Sequence, residues 1–266
     1  MELSSSDFDG FLKVVLPSMG LNWRRYRRKN IRRRILHRLD ALGLASVSQY
    51  IEILTADGQE FQLFYSLLTV TISRFFRNRT AYERLWKEVI PDIVKRDGRL
   101  NIWSIGCAGG EEPYSLVILW DAYLKDRYPN ITPVIIATDI DRDCLKRAEA
   151  AIYEKSSLRE LPKELVDRYF MHERCHFTLR EEIKKAVEFR FHDIQRDAPL
   201  KGNNLILCRN LAFTYFGEEL QKKALETIHE GLIDKGYLII GRQEVLQKNA
   251  LFESIYPKDG IYGKLD

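Results

Sequence analysis

Between Phe8 and Leu68 apolar residues return at helical spacing. Trp23, Tyr26, Ile31, Ile35, Leu39 and Leu42 recur at intervals of three to five, and Gly43 ends the run as a helix C-cap would. The same pattern predicts further helices at 50–54 and 61–68, and a connection over 77–101 built around another helix that stops at the Asp97-Gly98 turn. After Gly98 the period changes. LNIWSI (100–105) is a short apolar run, 111–124 is helical, PVIIATDID (133–141) is a strand ending in acids, and 142–153 is helical again. Strands alternating with helices of this length imply βαβ units and a parallel sheet. Further strands are predicted at 186–193, 204–209 and 236–241, with a helix over 218–232 and an antiparallel pair in the tail, 252–265, around Asp259-Gly260.

The expected plan is therefore α/β. A helical N-terminal domain with a basic helix covers 1–80, a linker helix covers 81–98, and a Rossmann-like domain with a mostly parallel sheet and a terminal antiparallel pair covers 99–266. Residues from about 154 to 185 are charged and irregular, and read as a small inserted subdomain poor in core residues.

Composition adds limits. A chain of 266 residues that is 45% hydrophobic can bury a full core. The start, MELSSSDFDG, lacks a cationic stretch followed by an apolar run, and no segment approaches the roughly 20 apolar residues that span a bilayer, so a soluble cytoplasmic protein without membrane insertion is expected. Cys107, Cys144, Cys175 and Cys208 form no C-x-x-C pair and read as free thiols. The net charge of +4 conceals a local field: nine cations between Arg24 and Arg38 occur with no acid among them, which leaves the rest of the chain at −5. On an amphipathic helix this run would form one solvated face, able to orient an acidic partner.

The chemistry centres on WSIGCAGGEEPYS (103–115), a glycine turn between the first strand of the sheet and a helix. Such a turn lets a ligand approach the backbone at the carboxyl ends of the strands. Gly106, Gly109 and Gly110 do not make the dinucleotide pattern G-x-G-x-x-G, and Glu111 and Glu112 would repel a pyrophosphate at the helix start. A nucleoside-like ligand with a cationic tail suits the loop, and S-adenosylmethionine has both parts. Asp139, at the end of the second strand, can accept both ribose hydroxyls, although Asp139 or Asp141 could instead cap the next helix. One of the two glutamates is expected to do no more than favour the helix dipole.

These residues, with S-R-F-F-R (73–77), A-T-D-I-D and C-R-N (208–210) in the same order, resemble the CheR family of S-adenosylmethionine-dependent glutamate O-methyltransferases that modify bacterial chemoreceptors. The resemblance covers nearly the whole chain and implies a class I methyltransferase domain behind an all-helical domain, with S-adenosylhomocysteine as the product. By matched position it implies cofactor contacts from Thr71, Ser73, Arg77, Gly106, Glu112, Asp139, Asp193, Ile194, Asn210 and Leu211. Glu112 would face the methionine portion, Asp139 the ribose, and Asp193 with Ile194 the adenine. Arg77, Arg209 and Tyr215 match the residues implicated at the methyl-transfer centre. L-A-F-T-Y-F after Asn210 is one residue longer than the family's V-x-I-Y-F, which shifts Tyr215 and lets Thr214 take its alignment; G-R-Q-E (241–244) replaces G-x-S-E.

A glutamate acceptor is ionised at neutral pH and needs no general base, but it does need a cationic guide. Arg77, Arg209 or Arg242 could supply one through a bidentate fork. Each could equally be a structural ion pair, the favoured reading for Arg242. The family reading of the Arg24–Arg38 helix is a docking surface for acidic chemoreceptor helices. Nucleic acid is disfavoured, since no aromatic residues interleave on the basic face. His172, Cys175 and His176 in HERCH are too few ligands for a zinc site, so no metal is expected. Alternatives are methylation of a different peptide or small-molecule carboxylate, or cofactor binding without turnover.

Overall fold

The computed structural model describes residues 4–26, 29–68, 73–247 and 249–265. The chain divides into two compact units. A helical unit takes residues 1–70 with 214–222, and a sheet unit takes 71–213 with 223–266.

In the helical unit, α1 (Ser5–Ser18) begins where the Ser4 side chain accepts the Asp7 N–H at 3.1 Å. A 3₁₀ turn (Trp23–Tyr26) precedes α2 (Lys29–Ala41), α3 (Val47–Ala56) and α4 (Gly58–Leu68). Ser46 and Gln49 close α3 with a reciprocal capping box. Phe11, Tyr50 and Phe64 meet edge-on or stacked at the centre of the unit. The basic run departs from the expected single solvated face. Arg24 and Arg25 lie in the 3₁₀ turn, Arg27 and Arg28 fall outside the described residues, and three arginines of α2 turn towards their own unit. Arg32 donates to Ser5, Arg34 donates to the Leu67 carbonyl, and Arg38 bonds Glu60 through Nε at 2.9 Å. Glu60 is buried and also accepts the Tyr50 hydroxyl at 2.8 Å. Helical spacing could not show this, because the paired acid lies on another helix.

The sheet unit opens with a helical stretch formed by α5 (Arg79–Arg84), a π turn (Leu85–Val89) and α6 (Ile90–Asp97). Then come β1 (Asn101–Ile105), α7 (Glu111–Tyr123), β2 (Val134–Asp139), α8 (Arg142–Ala150), β3 (Ile152–Glu154), α9 (Lys163–Tyr169), β4 (Phe170–Glu173), β5 (His176–Leu179), α10 (Glu181–Lys184), β6 (Val187–Phe191) and β7 (Asn203–Cys208). The short α11 (Ala212–Tyr215) and α12 (Glu218–Gly231) precede β8 (Leu232–Ile240), β9 (Phe252–Tyr256) and β10 (Ile261–Lys264).

Seven strands form one sheet in the order β6-β2-β1-β7-β8-β10-β9. The first five are parallel, and β10 runs antiparallel to both β8 and β9. The expected Rossmann-like sheet with its antiparallel end is therefore present. Every β1 residue from Ile102 to Ile105 is buried, as a strand covered on both faces requires. All five parallel strands finish at the same edge, which places the loops after β1, β2, β6, β7 and β8 side by side.

Two expectations about domain layout are revised. The stretch expected as a linker helix, 81–98, is part of the sheet unit, together with the residues from 73 that precede it. Phe75 packs edge-on against Tyr153 and Phe170, Phe76 stacks on Tyr82, and Leu85, Val89 and Ile93 join the core of the sheet unit. The insertion is not poor in core residues either. It carries the separate sheet β3-β5-β4, and Leu158, Leu161, Leu165, Tyr169, Leu179 and Ile183 are buried in the same core. Its apolar positions are scattered among charges, and this concealed them from a periodicity search.

Candidate functional site

The turn after β1 is held by β2: the N–H groups of Gly106 and Cys107 both donate to the Thr138 carbonyl, at 2.8 and 3.0 Å. Gly106 has φ +72°, and a Cβ there would lie 2.6 Å from Leu211 Cδ2. The left-handed backbone here is what favours glycine where the β1 and β7 loops approach, since the Leu211 methyl could shift. Gly110, at φ +86°, then turns the chain into α7. The first turn of α7 so arrives at the carboxyl end of β1 carrying Glu111 and Glu112.

Glu112 is held from two sides. Its Oε1 accepts the Ser104 hydroxyl at 2.8 Å, and its Oε2 pairs with Arg209 Nη1 at 3.2 Å. Burial pushes the carboxyl above its ordinary range, while Arg209, Ser104 and the more distant charge of Arg77 oppose the rise. Arg209 extends from the end of β7, its side chain only 5% exposed, and donates through Nη2 to the Arg77 carbonyl at 2.6 Å. Its guanidinium also lies over the buried Tyr82 ring, 5.5 Å from the centroid. One buried arginine thus joins the β7 end, the α7 start and the F-F-R segment. Phe76 adds a second tie, its N–H donating to Ser115 of α7 at 3.0 Å.

Asp139 ends β2. Its Oδ2 accepts the Ala108 N–H at 2.8 Å and its Oδ1 accepts the Asp141 N–H at 2.9 Å, which leaves each oxygen a lone pair for a hydroxyl. Burial raises its carboxyl pKa, and the backbone donors from Asp141 and Ala108 pull it down. Capping of α8 falls to Asp141, which takes the N–H groups of Asp143 and Cys144. The two acids that the sequence left interchangeable therefore have separate tasks, and Asp139 faces the glycine loop.

The remaining candidates follow the neighbouring strands. Asp193 and the buried Ile194 come after β6, where Asp193 accepts the Gln195 N–H at 2.9 Å. Asn210 and Leu211 come after β7, with Asn210 at φ +57°. Ser73 is half-buried, and Arg77 is exposed with its backbone carbonyl clamped by Arg209. Thr71 lies outside the described residues. Tyr215 belongs to the helical unit, where its ring packs 5.1 Å from Tyr26 and its carbonyl accepts the Asn22 N–H at 2.8 Å. Cys208 is buried, and burial raises its thiol pKa far above the range of a nucleophile.

Two residues of this edge have roles that sequence reasoning missed. Glu244, the acid of G-R-Q-E, is buried and accepts the N–H groups of Asn210 at 2.7 Å and Gly241 at 2.6 Å, locking the β7 and β8 loops together. An acid retained three residues beyond a strand-ending glycine was its only signal. Glu111 is the other. One of the two glutamates was expected to do no more than favour the helix dipole, yet Glu111 is 6% exposed and its Oε2 has no hydrogen-bond partner. Burial raises its pKa. Arg242, in contrast to the favoured ion-pair reading, is exposed and forms no ion pair among the described residues.

The arrangement fits a nucleoside with a cationic tail. The glycine turn admits close approach, Asp139 keeps acceptor capacity for ribose hydroxyls, and the acids of α7 stand where a phosphate would be repelled. Comparison with known proteins agrees. Residues 71–260 match the family model described as "CheR methyltransferase, SAM binding domain", and residues 6–69 match "CheR methyltransferase, all-alpha domain". The chain is similar to the chemotaxis protein methyltransferase of Listeria innocua, at 33% identity over 90% of this chain and 89% of the relative. It is also similar to chemotaxis protein methyltransferase 2 of Vibrio cholerae, at 31% identity over 92% of this chain and 88% of the relative. No helix among the described residues is long and apolar enough to cross a membrane. The chain belongs to the CheR methyltransferase family and carries that family's S-adenosylmethionine-binding domain, with the all-helical domain before it.

Proposed function

We propose that this protein transfers a methyl group to a carboxylate, specifically to glutamate side chains of an acidic helical protein of the chemoreceptor kind. The observation that carries the reading is the state of Glu112. Arg209 and Ser104 already occupy its two oxygens, so it orients groups at the site and is not a free base. A carboxylate acceptor needs no base, because it is ionised at neutral pH. S-adenosylmethionine supplies a methyl carbon already activated by its sulfonium. The chain's task is then to hold and align.

In this reading Asp139 takes the ribose hydroxyls, Gly106 and Glu112 face the methionine portion together with Ser73 and Arg77, and Ile194 with Asp193 flanks the adenine. Asn210 and Leu211 complete the wall on the β7 side. The exposed guanidinium of Arg77 guides the acceptor carboxylate, while Arg209 positions Glu112 and the Arg77 backbone. Lys29 and Arg33, exposed on α2, offer the acidic partner a docking charge that is not consumed by ion pairs inside the unit. The names of the relatives, chemotaxis protein methyltransferases, support a receptor acceptor.

The test is transfer of label from methyl-labelled S-adenosylmethionine to the cytoplasmic domain of a chemoreceptor from the same genome. Label released as methanol by mild base is the expected outcome, since carboxyl methyl esters hydrolyse readily. Label that stays bound to this chain without transfer would show a cofactor-binding module. Transfer only to small carboxylic acids would replace the acceptor.

A further inference from the structure

The donor groups occupy one side of the sheet's carboxyl edge: Asp193 after β6, Asp139 after β2 and the glycine turn after β1 are consecutive in strand order. On the other side, β7 gives Asn210 and Leu211 to the donor wall, and the loop after β8 remains for the acceptor. Glu244 fixes the loops after these two strands to each other, and Arg242, in the β8 loop, is exposed. A second cation stands at the same corner. The Ile240 N–H donates to the Gly260 carbonyl at 2.9 Å, which brings the Pro257–Asp259 turn, with the exposed Lys258, against the end of β8. Arg242 and Lys258 line one open cavity of about 520 Å³, together with Arg84 and Lys87 of the 79–97 helical stretch.

The charges of this cavity are not equivalent. Arg84 is committed to Glu88 and to the buried Asp259, and Lys87 lies 3.9 Å from Glu83. Arg242 and Lys258 have no ion-pair partner among the described residues. Two of the four cations lining the cavity are thus paired with acids, and the two exposed ones, Arg242 and Lys258, are left to attract a carboxylate without burying it.

We propose that Arg242 and Lys258 form a carboxylate-reading corner that engages an acidic side chain flanking the methylated glutamate, so that the enzyme selects acceptors with clustered acids. This rests on the carboxylate-acceptor reading and adds a specificity-determining element to it. The corner lies beside the donor site and outside it, so substitution there should alter acceptor KM and leave cofactor affinity untouched.

The experiment compares the wild type with Arg242→Glu/Lys258→Glu and with the milder Arg242→Gln/Lys258→Gln. Two acceptors are used: a chemoreceptor cytoplasmic domain, and the same domain with the acids flanking its methylated glutamates changed to amides. Exposed ion pairs are individually modest, so the expected rise in KM on the native acceptor is about tenfold for the charge-reversed variant and about threefold for the glutamine variant. Turnover at saturation and S-adenosylhomocysteine affinity should stay within about twofold, and the amidated acceptor should not distinguish the three enzymes. Raising the salt concentration should shrink the difference. An unchanged KM on the native acceptor, or an equal rise on both acceptors, overturns the proposal while leaving carboxylate methylation standing. Failure of the wild type to methylate either domain overturns the receptor-glutamate reading and this inference with it.

Discussion

Replacing Arg209 with methionine removes the cation that Glu112 faces at 3.2 Å and leaves a largely buried carboxylate with the Ser104 hydroxyl and the more distant charge of Arg77. Breaking a buried pair from one side costs about 3–5 kcal/mol, because the remaining charge stays desolvated. Glu112→Gln is expected to cost somewhat less, since Arg209 keeps the Arg77 carbonyl and the Tyr82 hydroxyl. The double variant removes both charges together. Its cost should fall below the sum of the single costs by at least about 2 kcal/mol, the coupling expected of groups in direct contact. Urea unfolding followed by tryptophan fluorescence measures this. A Trp23→Phe background confines the signal to Trp86, Trp103 and Trp120, all in the sheet unit. Additivity within about 0.5 kcal/mol would refute the reasoning, since it would mean that Arg209 and Glu112 do not depend on each other.

Two further predictions concern pH, and their signs are opposite. Glu111 has a raised pKa in the folded chain, so it favours folding below the ordinary carboxylate value and loses that contribution as pH rises through its elevated one. Glu111→Gln should therefore raise the melting temperature at pH 7–8 and change it little near pH 4, with about 1.4 kcal/mol for each unit of displacement. Glu60 is held low by the Arg38 hydrogen bond, against the opposing effect of burial, with help from Tyr50. Its contribution is present above the ordinary carboxylate value and is lost as pH falls through the depressed one, so Arg38→Gln should destabilise the helical unit by about 2–4 kcal/mol at neutral pH and by less in acid.

Much of the fold could be read in the sequence because the central parallel strands, β1 and β7, are short, largely apolar and buried, and the strands are separated by helices with clear stops. Ile102 to Ile105 in β1 and Asn203 to Cys208 in β7 are buried throughout, so their runs had no competing helical reading. The glycine turn was legible for a related reason: left-handed backbone at Gly106 and Gly110 leaves little choice of residue. What the sequence concealed depends on partners distant in the chain. Whether Arg38 faced water or a core depended on Glu60, 22 residues away, and whether Asp139 or Asp141 capped α8 depended on the position of the Ala108 N–H. Glu111 stood beside Glu112 with the same chemistry, and only the packing separates a carboxylate paired with an arginine from one that has a single long hydrogen bond from Ser157 and a second oxygen without a partner.

The separation of Asp139 from Asp141 offers the most direct test of the donor site. S-adenosylhomocysteine is titrated calorimetrically into the wild type, Asp139→Ala and Asp141→Ala. A carboxylate that binds ribose hydroxyls contributes about 1.5–3 kcal/mol, so Asp139→Ala should weaken binding by at least about tenfold. Asp141→Ala should bind within about twofold of the wild type and lose only the roughly 1 kcal/mol of stability that an N-cap provides. Equal weakening in both variants, or undiminished binding by Asp139→Ala, would contradict the assignment of this edge as the methyl-donor site.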